Sequence, residues 1–304
     1  MQMAYINALY ELMKKDRNVC SLLSDSGTEY DEMMFREFPN QCFYFGIAEE
    51  NKVAAAGGMA ACGKIPFVYT TGAFLAYRSY EFIRDDICFQ NRNVKIIGMG
   101  SGLAWSTLGA SHHSTEDLAV LRAMPNLTIL SPASPLEVRK CVELAYEIVG
   151  PVYIRIGMSR EREIYQGEYQ LALGENILIK AGGDITVFCT GSIISEVLDA
   201  AEKIKERNMD ITVVNVPFIK PFDKDGILKY ATGSKVIFSV EEHNILGGLG
   251  GAIAELLAEG NVDTRLVRIG IQDCFAKGYG TLEDVRKANK LDSRSIYDII
   301  MENI

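Results

Sequence analysis

Positive charge is what this sequence is shortest of. Its 31 Lys and Arg stand against 40 Asp and Glu, for a formal net charge of −9. A nucleic-acid binder would need a basic patch, and anionic lipid would repel such a chain. An anionic substrate would need particular Arg and Lys residues rather than a general field. Paired cysteines are missing as well: the seven Cys are scattered and no CxxC occurs. This argues against a disulfide framework and against a zinc site. Cys42, Cys62, Cys88 and Cys189 lie in apolar surroundings and read as reduced core thiols of a cytoplasmic protein. No uncharged apolar run reaches the roughly 18 residues that a membrane span needs. Residues 1–18 read as an amphipathic helix carrying Glu11, without a basic segment followed by an apolar one, so no secretory leader is expected. Neither a short internal repeat nor a low-complexity tract is found.

What is present fits a folded α/β protein. With 304 residues, 48% hydrophobic and 23% charged, the chain is long enough for about two domains with real cores. VCSLLSD (19–25), IPFVYTT (65–71), VKIIGMG (94–100), LTILSP (127–132) and VYIRIG (152–157) read as strands. Helices are expected between them, over 49–62, 76–90, 115–123 and 134–148. The last opens with Ser134 as a cap and Glu137 three residues on. Residues 160–183 are polar and contain glycine, a linker with room for a small hairpin. The alternation then resumes with strands at 184–191, 210–217, 235–242 and 264–271 and helices over 193–207 and 248–259. Strands alternating with helices mean βαβ units and mainly parallel sheets. The expected fold is two doubly wound α/β domains, 1–165 and a smaller 180–304.

Four stretches carry candidate chemistry. His112 and His113 lie in LGASHHSTEDL after the strand at 94–100, and ligands of parallel α/β sheets gather beyond the carboxyl ends of strands. The alternative is a capping or surface histidine. A His–His pair alone is no metal signature, because a third ligand at definite spacing is missing. GGLGG (247–251), following His243, lacks the full dinucleotide-binding spacing and the P-loop lysine, and tight helix packing is the preferred reading. Glu49 and Glu50 lie in FYFGIAEENKVAAAGGMAACG, before an apolar run. Burial disfavours a carboxyl's charged form, which equips such a group to exchange a proton with a ring nitrogen. Two adjacent helical residues diverge by about 100°, so one of the pair faces inward; the alternative is a solvated first turn favoured by the helix dipole. Phe74, Tyr77 and Tyr80 recur every third residue. They are expected on one face, as core or as a platform for a flat heterocycle.

The order of these pieces resembles a known family. GIAEEN, TTGAFLAYRSYEFIRDDI, GASHHSTEDLAVLRAMPNLTILSPASPLEV, GPVYIRIG, IKPFD, VEEHN and GGLGG are similar to the C-terminal half of transketolase and 1-deoxyxylulose-5-phosphate synthase. The chain resembles in particular the split transketolases, made as two polypeptides. The resemblance spans the whole chain and implies a pyrimidine-binding domain followed by a transketolase C-terminal domain that supports dimerisation. It implies thiamine diphosphate as cofactor, with Glu49 on N1′ of the aminopyrimidine and Glu50 a structural neighbour. It implies Phe74 and Tyr77 stacking on or enclosing that ring, Tyr80 closing the pocket, and Asp25 near the cofactor. His112 would contact the substrate oxygen, with His113 beside it, and Arg155 would bind a sugar phosphate.

Two departures qualify the resemblance. The segment before the substrate histidine reads MGSGLAWSTLGASHH, so a family histidine falls at about Gly100 and an aspartate at about Leu108. A non-standard donor or acceptor sugar is therefore expected. The family's GDG motif for Mg²⁺ and diphosphate is missing, GGD at 182–184 running instead into a strand. No metal ligand is assigned here. A partner subunit supplying Mg²⁺ and the diphosphate site is expected, in an α2β2 assembly. The alternatives are a β subunit of a 2-oxo acid dehydrogenase, and a non-catalytic scaffold.

Overall fold

A computed structural model describes residues 1–24, 29–158 and 162–304. The first half runs α1 (Gln2–Lys15), β1 (Val19–Leu23), α2 (Glu29–Glu37), β2 (Cys42–Tyr44), α3 (Glu49–Ala61) and β3 (Ile65–Thr71). A π-helical turn (Phe74–Arg78), α4 (Tyr80–Phe82) and a second π-helical turn (Ile83–Cys88) follow. Then come β4 (Lys95–Met99), α5 (Asp117–Arg122), β5 (Thr128–Leu130), α6 (Pro135–Glu147) and β6 (Val152–Ile156). The second half runs β7 (Ile177–Lys180), β8 (Ile185–Thr190), α7 (Ile194–Lys205), β9 (Thr212–Asn215), β10 (Phe218–Lys220) and α8 (Lys224–Thr232). It closes with β11 (Val236–Asn244), α9 (Leu249–Glu259), β12 (Arg265–Ile271), α10 (Leu282–Ala288) and α11 (Ser293–Glu302).

These elements form two α/β domains. The first sheet has the order β10-β5-β6-β4-β3-β1-β2 and the second β12-β11-β8-β9-β7. Pairings are parallel except at β10–β5 and β7–β9. Strands covered on both faces read as continuous apolar runs, and β1, β4 and β6 are buried throughout. On one face of the first sheet, α1 and α6 pack over Val19, Phe67 and Ile97. On the other, Val53, Leu75, Ile83 and Leu121 pack over Leu22, Val68 and Ile96.

Several expectations change. Residues 76–90 do not form one helix but two wide π turns around a short α turn. The stretch 160–183 holds no hairpin among its described residues; β7 instead joins the second sheet against β9. The second half of the chain also lends β10 to the first sheet, Phe218 pairing with Leu130. Ser134 does cap α6, accepting from the Glu137 N–H at 3.3 Å. The Glu137 carboxylate, however, binds the Ala133 N–H and Asn215 rather than closing back on Ser134. No helix among the described residues is long and apolar enough to cross a membrane.

Candidate active site

The first sheet reverses its winding between β1 and β3, the kind of point at which open α/β sheets bind ligands. Three segments meet beyond the carboxyl ends of its strands. The start of α3 follows β2, the π turn follows β3, and the loop 100–113 follows β4.

Glu49 is the first residue of α3 and 2% exposed, while Glu50 is half-buried. Glu49 Oε2 accepts a hydrogen bond from Arg78 Nη1 at 2.6 Å. A buried carboxylate needs such a partner. Arg78 reaches it because a π turn is wider than an α turn, which brings Arg78 back over Phe74. The guanidinium carbon lies 4.8 Å from the Phe74 ring centre. The His112 ring meets the same phenyl edge-on, centroids 5.0 Å apart, and Ser111 Oγ lies 2.9 Å from His112 Nδ1. Glu49, Phe74 and His112 are thus brought into one cluster, with Arg78 added.

Lys52, one turn after Glu49, is a component that sequence reasoning missed. It is fully buried, and its Nζ donates to the Tyr69 carbonyl at 3.0 Å and to Ser24 Oγ. Burial pulls its ammonium from 10.5 down to about 8, against the charge of Glu49. The unfolded chain holds this proton up to the higher value, the folded chain only to the lower. Between them the unfolded state binds more protons, so unfolding free energy should rise with pH across that window. Lys52→Met should lose this rise. Urea unfolding of both proteins at several pH values between 8 and 10.5 checks it. A wild-type slope no steeper than the variant's would contradict a buried ammonium.

Other expected site residues are placed differently. Tyr77 and Tyr80 are anchored through their hydroxyls. The Tyr77 hydroxyl donates to Glu116 Oε2 at 2.8 Å and accepts from the Glu116 N–H at 2.9 Å. Burial, then Asp117 and Glu116, push its phenol upward. The Tyr80 hydroxyl donates to the Val120 carbonyl at 3.3 Å. Both hydroxyls therefore tie the π turn to the α5 region. His113 lies deeper than His112. It is buried, and burial lowers its pKa against the opposing pull of the Glu242 charge and the Trp105 backbone. Asp25 lies outside the described residues.

Arg155 is the clearest correction. It is 2% exposed, with Nε 2.9 and 3.1 Å from the two Asp117 carboxylate oxygens. Its Nη2 donates to the carbonyls of Ser114 and Glu242. The cause is its place on β6, a strand buried along its whole length. There a guanidinium must find all its partners inside, so it locks the two domains together instead of meeting a phosphate.

The VEEHN–GGLGG segment completes that lock. The Glu241 carboxylate accepts from the N–H groups of Leu249 and Gly250 at 2.7 and 2.8 Å. It fills the start of α9, where a phosphate would otherwise sit. His243 Nδ1 donates to the Asn244 carbonyl, and its Nε2 accepts from the Ala119 N–H.

Gly100 shapes the remaining wall. Its φ is +72°, and a Cβ there would run into Nε1 of Trp105, the chain's one tryptophan. The indole thus closes the position where the family resemblance places a histidine, 6.3 Å from the His112 ring. Leu108, at the expected aspartate position, is exposed. Among the described residues no three His, Cys, Asp or Glu side chains are grouped to hold a metal. A flat cationic ring does fit: a planar cation already lies on Phe74 with its rim on Glu49.

Two family models match the chain. "Transketolase, pyrimidine binding domain" covers residues 1–161 and "Transketolase, C-terminal domain" covers 174–296. An apulose-4-phosphate transketolase subunit from Actinobacillus succinogenes is 37% identical over 266 residues, 88% of this chain and 86% of that protein. The 6-deoxy-6-sulfo-D-fructose transketolase subunit SqwH of a Clostridium species is 32% identical over 274 residues, 90% of this chain and 85% of that protein. A solved structure described as a split gene transketolase, an inactive β4 tetramer, superposes with a TM-score of 0.88 at 31% identity. It covers 99% of this chain and 96% of that one.

Proposed function

Because the chain belongs to the transketolase family, we propose that it is the pyrimidine-binding subunit of a two-chain, thiamine diphosphate-dependent transketolase in the cytoplasm. As a transferase of aldehyde or ketone residues it moves a two-carbon ketol unit between sugars. One observation carries this reading: a buried carboxylate and an aromatic face already hold a flat cation between them, with a histidine at the edge. Glu49 holds the proton at N1′ of the aminopyrimidine. Phe74 supports that ring, and Tyr77 and Tyr80 keep the π turn in place behind it. His112, oriented by Ser111, donates to the substrate oxygen. The family resemblance also assigns Asp25 to the cofactor. The chemistry that thiamine diphosphate supplies when bound is a carbon nucleophile for the ketose carbonyl.

Mg²⁺ and the diphosphate belong to a partner subunit, in an α2β2 assembly. The similar chain that forms an inactive β4 tetramer supports the need for a partner. The sugar is a non-standard one, a reading supported by Trp105 against Gly100 and by relatives named for apulose-4-phosphate and sulfofructose. These names favour sugar transfer over a lipoyl-linked 2-oxo acid dehydrogenase.

The test is co-expression with the N-terminal partner, followed by cofactor analysis and a ketol-transfer panel. A complex that binds thiamine diphosphate and transfers from a branched or modified ketose is expected. Absence of the cofactor, or transfer only to lipoamide, would reject the reading. Full activity with xylulose 5-phosphate and ribose 5-phosphate alone would reject the non-standard sugar.

A further inference from the structure

The Arg78 guanidinium does two things at once. Its Nη1 holds the Glu49 carboxylate at 2.6 Å, and its central carbon lies over Phe74, 4.8 Å from the ring centre. Among the described residues Glu49 is its only hydrogen-bonding partner. A guanidinium is planar, cationic and rimmed with N–H donors, and it stacks on aromatic faces. A protonated aminopyrimidine has the same four properties. The two ends of the contact differ in freedom, the Glu49 side chain being 3% exposed and the Arg78 side chain 41%. The carboxylate is fixed, and the arginine arm is free to leave into solvent.

We propose that Arg78 is an internal stand-in for the pyrimidine ring. It keeps Glu49 paired and Phe74 covered in the empty subunit, and it must swing out before the ring can enter. The inference rests on the reading of Glu49 as the ring's partner. Two effects then follow from one contact. The empty site is held in its binding arrangement, because a buried carboxylate without a cation would be costly. Loading becomes a displacement, and apparent affinity falls by the fraction of subunits in which the arm is out. Such a contact also explains why an arginine is tolerated beside a site whose net demand is for one ring-borne proton.

Calorimetric titration of thiamine diphosphate into the assembled wild-type and Arg78→Ala complexes tests this. Removing a charge-assisted competitor should tighten binding by about tenfold. Arg78→Lys keeps a cation on the same turn but loses the plane and the fork. It should bind more tightly than wild type by a smaller factor, and it serves if the alanine variant does not assemble. Equal or weaker binding by the variants would overturn the proposal and leave the role of Glu49 standing. If the wild-type complex takes up no thiamine diphosphate, the ring-binding reading itself falls, and this inference with it.

Discussion

Glu49→Gln should cut the transfer rate of the assembled complex by about 10²–10⁴-fold, the span expected for a positioned proton-transfer group. The substitution is nearly isosteric. Gln can still accept the hydrogen bond from Arg78, so α3 and the π turn should keep their packing, and the subunits should assemble. What Gln cannot do is carry the negative charge that keeps a proton on a ring nitrogen. Steady-state transfer rates, with light-scattering mass on the same sample, separate the two effects. A variant that retains more than about a tenth of the wild-type rate would return the chain to the scaffold reading. A variant that fails to assemble would show that the Arg78 pair is structural beyond its local site.

Asp117→Ala should destabilise the folded chain by about 3–5 kcal/mol, the usual cost of breaking a buried ion pair by removing one partner. Asp117 is fully buried and accepts from Arg155 Nε and from the Tyr153 hydroxyl, the latter at 2.8 Å. Its removal strands a guanidinium whose other hydrogen bonds go to carbonyls from both domains. Two neutral carbonyl acceptors do not neutralise a buried cation. Urea unfolding should show the loss as a lower midpoint. The double substitution Asp117→Leu with Arg155→Met removes both charges together and should recover most of the stability. A single-variant loss below about 1 kcal/mol, the range of an exposed pair, would mean that water reaches Arg155 and that the lock is weak.

The legibility of this molecule varies with the range of the contacts involved. The strands of the parallel sheets announce themselves as short apolar runs, and Glu49 stands out because an acid before so apolar a helix needs a reason. The π turns are hidden, since Phe74, Tyr77 and Tyr80 look the same at α spacing and the widening depends on tertiary packing. That conceals Arg78, whose place over Phe74 exists only in the wider turn. Lys52 looks like any solvated lysine because nothing local shows that Tyr69 and Ser24 wait at the strand ends. Arg155 carries a usable signal: a charge inside VYIRIG must be paired. Its partner Asp117 lies on another element, and no spacing rule connects them. β10 is only Phe-Ile-Lys, too short to distinguish from a loop.

That short strand has a consequence for how such proteins can be inherited. β10 lies in the chain between β9 and β11 of the second sheet, yet it covers the β5 edge of the first. An uncovered strand edge is a template for unwanted pairing. A gene break or a recombination event within residues 160–183 would therefore separate a sheet from its own margin. The two halves of this chain are therefore joined by β10 as well as by the Arg155 contacts, across a seam that looks open in the linear order.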